Sequence, residues 1–439
     1  MSTSMPFQTI GAQWALLPDG WHQNICIELD QSGTIVGLSS LGDQQTDIVL
    51  EVIVPGMINV HSHAFQRRLL GRTQRFGKPN DDFWSWRTAM YADVDRLTPQ
   101  DQLEVSSSLF QELVNHGYTT VCEFHYAHGV QDKNSAEIPF LMSEAVINAS
   151  QSVGIRLLLL PVLYQLGGFG ERPPSREQRS FVMETEVFLG LMDHLKEIYP
   201  DNPLVSFGYA PHSLRAVEYD AIAALLEHRE QTFPDSPVHI HVSEQVREVN
   251  ESVLGRGTTP IDWLFSNFSP DDKWCFIHAT HATKGELKKI VQAQVTIGLC
   301  PTTEGDLGDG TFPHAEFLAA GGRLAIGSDS NVCVAPTEEL RLIDYQARMA
   351  SRKRNAFKLD GSVGSGTYLY QTALEGGRRA SGLAVGRIEV GSKADLVELK
   401  QDHPLTTGKS PDEILNTFVY GGTKELIDRV LISGSIVNR

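Results

Sequence analysis

The sequence is poor in cysteine, and its cysteines follow no recognisable pattern. Its 439 residues include five cysteines, which are scattered, odd in number and never spaced as C-x-x-C. A disulfide framework and a cysteine-based zinc site are therefore both disfavoured. Small buried side chains in a reducing compartment are the better interpretation, and we expect a cytoplasmic protein.

Runs of positive charge and long apolar runs are also missing. The formal net charge is −17 and no long run of lysine or arginine occurs, which argues against nucleic acid and anionic membrane surfaces as partners. No apolar segment approaches the roughly 20 residues of a spanning helix. The N-terminal MSTSMPFQTIGAQW lacks the basic region and apolar run of a signal peptide. With 41% hydrophobic residues, the composition is that of a globular protein with a large core.

The central part of the chain alternates strand-like apolar runs with helical stretches. Helix starts are indicated by Thr98-Pro99 and by the capping box Thr283-Lys-Gly-Glu286. Eight such strand–helix units predict a parallel sheet closed into a (β/α)8 TIM-like barrel. An open doubly wound sheet is the alternative, disfavoured because no G-x-G-x-x-G turn follows an early strand. The eight runs are VIVPGMINVHSH, YTTVCEFHY, IRLLLLPVLYQ, LVSFGYAPHS, VHIHVSEQ, WCFIHATH, VTIGLCPTTE and RLAIGSDSN.

Both ends of the chain carry short strands separated by turns. Each end is too small for a core of its own. We therefore expect residues 1–53 and 387–439 to form one small β domain, and residues 54–386 to form the barrel.

Histidines occur at the end of the first strand with one residue between them. On a strand, His61 and His63 point to the same face, and neutral imidazoles suit Zn²⁺. A lone H-x-H is nevertheless more often a pair of hydrogen-bonded histidines. The other strand ends make a metal site the better interpretation of this pair, because the carboxyl ends of barrel strands converge on one site. They carry His239-Ile-His241-Val-Ser-Glu244, His278-Ala-Thr-His281 and Ser328-Asp329.

Several imidazoles and one carboxylate describe a catalytic zinc site with an open position for water. His239 faces the same way as His241; we choose His241 as the ligand because Glu244 would then lie where a proton shuttle is needed. No strand-end lysine is available to bridge two metals, so one ion per chain is expected. The predicted ligands are His61, His63, His241 and Asp329. His239 is expected to be packed, the role of His281 stays open, and surface or structural roles are expected for His125, His128, His194, His228 and His314.

The chain resembles the mononuclear deaminase branch of the amidohydrolase superfamily. The resemblance is carried by PG-x-x-x-x-H-x-H, by H-x-x-E, by a histidine at the end of the sixth strand and by S-D at the end of the eighth. The resemblance spans most of the chain and implies a barrel with a small β domain. More narrowly, five segments are similar to deiminases of histidine degradation. This similarity implies hydrolysis of N-formimino-L-glutamate to N-formyl-L-glutamate and ammonia. The segments are HSHAFQR, APHSLRAV, HVSEQ, HATH and LCPTTEGDLGDG.

Three residues are expected to move protons. Zinc lowers the pKa of a bound water towards about 7, and Asp329 and His278 would hold that water and take its proton. Glu244 would protonate the departing nitrogen. A solvated loop carboxylate is the alternative role for Glu244.

A substrate with two carboxylates needs guanidinium partners. The resemblance assigns substrate contact to Gln66, Arg87, Tyr126, His212 and Arg215. Pairing with a surface aspartate is the alternative for either arginine. Arg67, Arg68 and Arg72 are expected on a helix surface, and residues 166–181 as a lid or a subunit interface.

Two other functions compete with this one. Deamination of a base such as guanine or cytosine would favour a flat apolar slot, against which the two arginines argue. A barrel that only binds a partner would lack ligands, and none is missing. We expect a homodimer that binds a small dicarboxylate.

Overall fold

The computed structural model describes residues 7–74, 82–129, 137–200, 202–422 and 424–438. The expectation about the N-terminus falls partly on the first six residues, which lie outside these ranges. No helix within the described ranges is long and apolar enough to cross a membrane.

The strands form three sheets. The described strands are β1 (Thr9–Leu17), β2 (Gly20–Leu29), β3 (Ile35–Ser40), β4 (Ile48–Pro55), β5 (Met57–Ser62), β6 (Tyr118–His125), β7 (Arg156–Leu163), β8 (Val205–Phe207), β9 (Ala210–Pro211), β10 (Val238–Val242), β11 (Trp274–His278), β12 (Thr296–Leu299), β13 (Arg323–Ile326), β14 (Leu396–Leu399), β15 (Ile427–Ile432) and β16 (Ser435–Ile436).

Helices follow most of the central strands, and short 3-10 turns occupy 64–69, 176–178 and 424–426. Capping boxes at Thr98 and Thr283 start α2 and α8, as the sequence predicts. The helices are α1 (Phe83–Val94), α2 (Pro99–Asn115), α3 (Glu137–Val153), α4 (Thr185–Ile198), α5 (Tyr219–Thr232), α6 (Val246–Arg256), α7 (Pro260–Asn267), α8 (Lys284–Ala293), α9 (Pro301–Leu307), α10 (His314–Ala319), α11 (Pro336–Ser351), α12 (Ser365–Ser381) and α13 (Pro411–Gly421).

The eight predicted central strands are confirmed, with two corrections. The first run is divided, because β4 belongs to a different sheet and β5 begins only at Met57. Pro55 has no N–H for a continuous ladder, and a Cβ on Gly56 would lie 2.1 Å from the Thr119 side chain. The fourth run is interrupted between β8 and β9.

The central strands form two parallel sheets, ordered β5-β6-β7-β8 and β10-β11-β12-β13. Two isolated parallel bridges connect them, Ser62 with Asp329 and Tyr209 with Val238. The α/β class is therefore confirmed. Parallel pairing places the carboxyl ends of neighbouring strands at one edge.

Strands from both chain ends form the third sheet, ordered β16-β15-β14-β4-β1-β2-β3. It has a small apolar cluster of its own, including Ile27, Ile53 and Leu396. Arg156 at the start of β7 connects it to the central sheets, because its guanidinium donates two hydrogen bonds to Asp395 at 2.9 and 3.0 Å. Between β14 and β15, α13 packs against α11 and α12.

Candidate active site

Four side chains from three strand ends converge in the interior. Nitrogen or oxygen atoms of His61, His63, His241 and Asp329 all lie within 4.8 Å of one another, and all four residues are buried. Asp329 Oδ1 lies 3.2 Å from His63 Nε2 and 3.6 Å from His61 Nε2. We call these four residues the first cluster.

Hydrogen bonds orient two imidazoles of the first cluster. The Nδ1 atoms of His63 and His241 face the backbone carbonyls of Phe124 and His212, at 2.9 and 3.0 Å. A nitrogen that faces a carbonyl must carry the proton, so each Nε2 presents a lone pair. Such backbone partners are typical of histidines that bind metals.

The first cluster fits a divalent cation. His241 Nε2 lies 3.0 Å from His61 Nε2, a distance at which the two nitrogens either share a proton or face a common cation. Burial and the neighbouring imidazoles hold the pKa of His61 and His241 well below its usual value, so both rings stay neutral. Three imidazoles and one carboxylate form a donor set suited to zinc.

The strand ends that carry the site have an unusual backbone. Ser243, His278 and Asp329 have φ angles of 50°, 70° and 47°, a region that non-glycine residues seldom occupy. Asn331 supports this conformation, because its side-chain amide donates to the backbone carbonyls of His63 and Asp329 at 3.0 Å. Sequence periodicity carries no signal for this geometry, which aims the side chains inward.

His278 is surrounded by carboxylates. Its Nε2 lies 3.7 Å from Asp329 Oδ2 and 3.8 Å from Glu244 Oε1, and its Nδ1 lies 3.2 Å from Glu304 Oε1. Burial alone would lower its pKa, but these three carboxylates raise the pKa of His278 to about 10. The three predicted proton-handling residues are therefore neighbours. Glu304 was not predicted, although the strand-end motif LCPTTE contains it.

Arg215 pairs with Glu244, an interaction that sequence analysis did not anticipate. Its Nη2 lies 3.2 Å from Glu244 Oε2, and its Nε lies 4.0 Å from Glu248 Oε2. Both partners are buried carboxylates. The surface-aspartate alternative is therefore wrong for Arg215.

Arg87 differs, because no carboxylate lies within ion-pairing distance of it among the described residues. Its side chain donates hydrogen bonds to the hydroxyls of Tyr91 and Tyr164 instead. Gln178 donates to Tyr164 at 2.6 Å. This leaves a half-buried guanidinium without a neutralising partner, and an anion is the group that would complete its surroundings.

One cavity joins these groups. Gln66 and Tyr126 lie on its wall and share a hydrogen bond of 2.7 Å. The five predicted substrate contacts and the three predicted proton-handling residues all line it. Two other walls come from α1 and from the segment after β7, through residues such as Trp86 and Gly167.

Several other predicted positions lie away from the cavity. His239 is packed, its Nε2 facing the carbonyl of Ala380 at 2.8 Å. His125 and His128 are fully buried, which agrees with the structural and not the surface alternative. The surface expectation is wrong for Arg67, which is half-buried and donates to the Asn331 carbonyl at 2.6 Å. Asp309 is buried and was not predicted as a site residue. It accepts a hydrogen bond from Gln245, the residue that follows Glu244.

Comparisons with known proteins agree with this geometry. The sequence model of the Amidohydrolase family matches residues 52–437. The chain is 39% identical over 437 residues to formimidoylglutamate deiminase of Pseudomonas aeruginosa, covering 98% of this chain and 94% of that protein.

Among solved structures, an amidohydrolase from Brucella melitensis is similar with a TM-score of 0.88 and 36% identity, covering 98% of this chain and 94% of that one. An adenosine deaminase from Xanthomonas campestris with bound zinc has a TM-score of 0.80 at 21% identity, covering 98% and 92%. The second similarity is one of fold alone.

Proposed function

The chain belongs to the amidohydrolase family, and from this premise we propose that it hydrolyses N-formimino-L-glutamate to N-formyl-L-glutamate and ammonia. The near-full-length similarity to a formimidoylglutamate deiminase supports the reaction. The observation that carries the substrate class is Arg87, whose guanidinium no described carboxylate neutralises and which lines the same cavity as the first cluster.

The residues of the first cluster would hold one zinc ion. When bound, zinc supplies a nucleophile at neutral pH by lowering the pKa of a water molecule towards about 7. The neutral state of His61 and His241 and the orientation of Nε2 in His63 and His241 support this assignment.

Proton movement is assigned to Asp329, which also belongs to the first cluster, and to His278 and Glu244 beside it. Asp329 accepts the proton of the attacking water. His278, whose raised pKa keeps it protonated, holds that water in place from 3.7 Å away at the buried end. Glu244 carries a proton to the nitrogen that leaves as ammonia. Its Oε1 lies 3.8 Å from His278 Nε2, longer than a direct hydrogen bond, so the two exchange a proton only if substrate binding shortens this distance.

The carboxylates of the substrate are assigned to the two arginines. Arg87 offers N–H donors that no described carboxylate uses, and Tyr164 adds a hydroxyl beside it. Arg215 already binds Glu244, so a substrate carboxylate at Arg215 would lie next to the proton shuttle. Gln66, Tyr126 and His212 complete the wall as polar contacts.

The two parallel sheets are proposed to close into a (β/α)8 barrel through the bridges at Ser62 and Tyr209. Residues 54–386 would form this barrel, and residues 1–53 with 387–439 the small β domain. In such a barrel the functional residues lie at the carboxyl ends of the strands, as the first cluster does.

We further propose a homodimer in the cytoplasm. All five cysteines are free, which agrees with a reducing compartment. The strongly exposed Leu254 and Met349 are candidates for burial between subunits. Light scattering in solution would give the mass, and a monomer would contradict the dimer.

Ammonia release from four candidate substrates tests the function. The zinc-loaded protein is incubated with formimino-glutamate, formimino-aspartate, guanine and cytosine. We expect rapid release from formimino-glutamate, slower release from the shorter analogue and none from the bases. Release from a base alone would overturn the proposal.

A further inference from the structure

Three guanidinium groups surround the indole ring of Trp84. The Cζ atoms of Arg87, Arg215 and Arg247 lie 5.3, 5.8 and 4.3 Å from the ring centroid. A guanidinium within about 6 Å of an indole centroid is attracted by the negative face of the ring. Trp84 is half-buried and is not among the residues that line the cavity. It can therefore act on a substrate only through the arginines that it contacts.

Trp84 is shared by the two arginines of the cavity, whereas the other aromatic rings beside them are not. Tyr91 faces Arg87 with 5.1 Å between Cζ and ring centroid. Phe83 faces Arg215 at 5.7 Å. Among the described residues, only the Trp84 ring lies within cation–π distance of both arginines. A ring that attracts both cations offsets the repulsion between these like charges and fixes the position of one relative to the other.

Trp84 is itself held at its backbone and at its ring. The Asp82 carboxylate caps α1 and accepts the backbone N–H groups of Trp84 and Ser85 at 3.0 and 3.1 Å. From α6, Arg247 stacks on the indole ring and donates to the Glu251 carboxylate at 2.7 Å. The indole is therefore a fixed support, which a long arginine side chain on its own is not.

We propose that Trp84 is a positioning residue that sets the spacing between Arg87 and Arg215 and thereby selects a dicarboxylate of glutamate length. This inference rests on the proposed function, which assigns the two substrate carboxylates to these arginines. A guanidinium that is already held in place loses less conformational entropy when it binds a carboxylate. A glutamate has one more carbon between its carboxylates than an aspartate, so two fixed guanidiniums discriminate between them.

Calorimetric titration of the zinc-loaded protein with glutarate and with succinate tests this role without turnover. We expect the wild type to bind glutarate more tightly than succinate. Trp84→Leu should weaken glutarate binding at least about fivefold, because two arginine side chains must then be ordered when the ligand binds, and should reduce the preference for glutarate. Trp84→Phe keeps an aromatic face with a weaker attraction for cations and should recover part of this loss.

Trp263→Leu is the matched control. Trp263 is also half-buried and faces the guanidinium of Arg256 at 4.3 Å, but neither residue lines the cavity. Its replacement should leave the affinity for glutarate and the preference over succinate unchanged. Elemental analysis and thermal melting establish that each variant is folded and holds zinc. Trp84→Met repeats the test with a more adaptable side chain, should the leucine variant not fold.

Ammonia release provides the second readout, and only this readout needs the proposed reaction. Trp84→Leu should raise KM for formimino-glutamate more than it lowers kcat, because the indole acts on binding and not on proton transfer. The ratio of kcat/KM for formimino-glutamate to that for formimino-aspartate should fall towards one. A variant that is only partly folded would instead lose kcat for both substrates in equal proportion and keep its KM and its selectivity.

Three results would overturn the role of Trp84. They are a folded Trp84→Leu variant with unchanged affinity and selectivity, an equal loss in Trp263→Leu, and a wild type that binds neither dicarboxylate. A wild type that binds glutarate but releases ammonia from no substrate contradicts the proposed reaction, while the titrations still decide the role of the indole.

Discussion

Replacing Glu244 by glutamine separates chemistry from binding. Glu244 is only 5% exposed, and its Oε2 accepts a hydrogen bond from Arg215 at 3.2 Å. An amide oxygen can still accept that bond, so the position of Arg215 should be preserved. An amide cannot carry a proton, so the variant has no acid at the position of Glu244.

We therefore expect Glu244→Gln to lower kcat by about 10²–10⁴-fold, the usual contribution of a general acid–base. This loss corresponds to a barrier higher by about 3–5 kcal/mol. KM should change little, because the interaction is needed only in the transition state. Steady-state ammonia release gives both constants, and elemental analysis should find zinc retained.

Glu248→Gln is the matched control. Glu248 is buried beside the same arginine, with Oε2 4.0 Å from Arg215 Nε, but it does not line the cavity. We expect less than a tenfold loss of kcat. Normal turnover by Glu244→Gln would refute its role as shuttle, and loss of zinc would show instead that Glu244 is a ligand.

Four further predictions concern other parts of the site and the fold. Arg87→Met should lower kcat/KM for formimino-glutamate, with a loss of transition-state binding energy on the order of 2–5 kcal/mol, and should retain zinc. Unchanged kinetics would show that Arg87 does not bind a substrate carboxylate. Tyr164→Phe removes a hydroxyl beside Arg87 and should raise KM more than it lowers kcat, whereas a fall in kcat alone would contradict a binding role. Elemental analysis after dialysis should find one zinc per chain, and His241→Ala should lose it; two ions that survive dialysis would refute a single tight site. Burial raises the pKa of Glu398 from 4.5 to about 7, so between these pH values the folded protein holds a proton that the unfolded chain has released. The stability that this proton contributes is lost as pH rises from about 5 through 7. Denaturant titrations should show that the free energy of unfolding changes less with pH in Glu398→Gln than in the wild type, and an equal change in both proteins would contradict the shift.

The order of strands and helices followed from local pattern alone. Apolar runs, turn residues and capping boxes act over a few neighbours along the chain, so the eight central strands could be recognised from the sequence. The meeting of His61, His241 and Asp329 was also predictable, because the carboxyl ends of parallel strands share one edge. The break in the first run at Pro55 lies two residues beyond the domain boundary expected after residue 53, and the missing N–H is a local signal for it.

Partners between distant segments were decided only by the tertiary structure. Three features depend on side-chain directions to within an ångström. They are the pairing of Arg215 with Glu244, the contact of Glu304 with His278, and the contacts of the two Asp329 oxygens with different histidines. Those directions come from left-handed backbone at the strand ends and from hydrogen bonds such as those of Asn331. Spacing along a chain constrains which face a residue occupies, but it does not determine which of several buried charges it meets. Arg87 shows the same limit, because only folding establishes that the carboxylates of the described residues lie out of its reach.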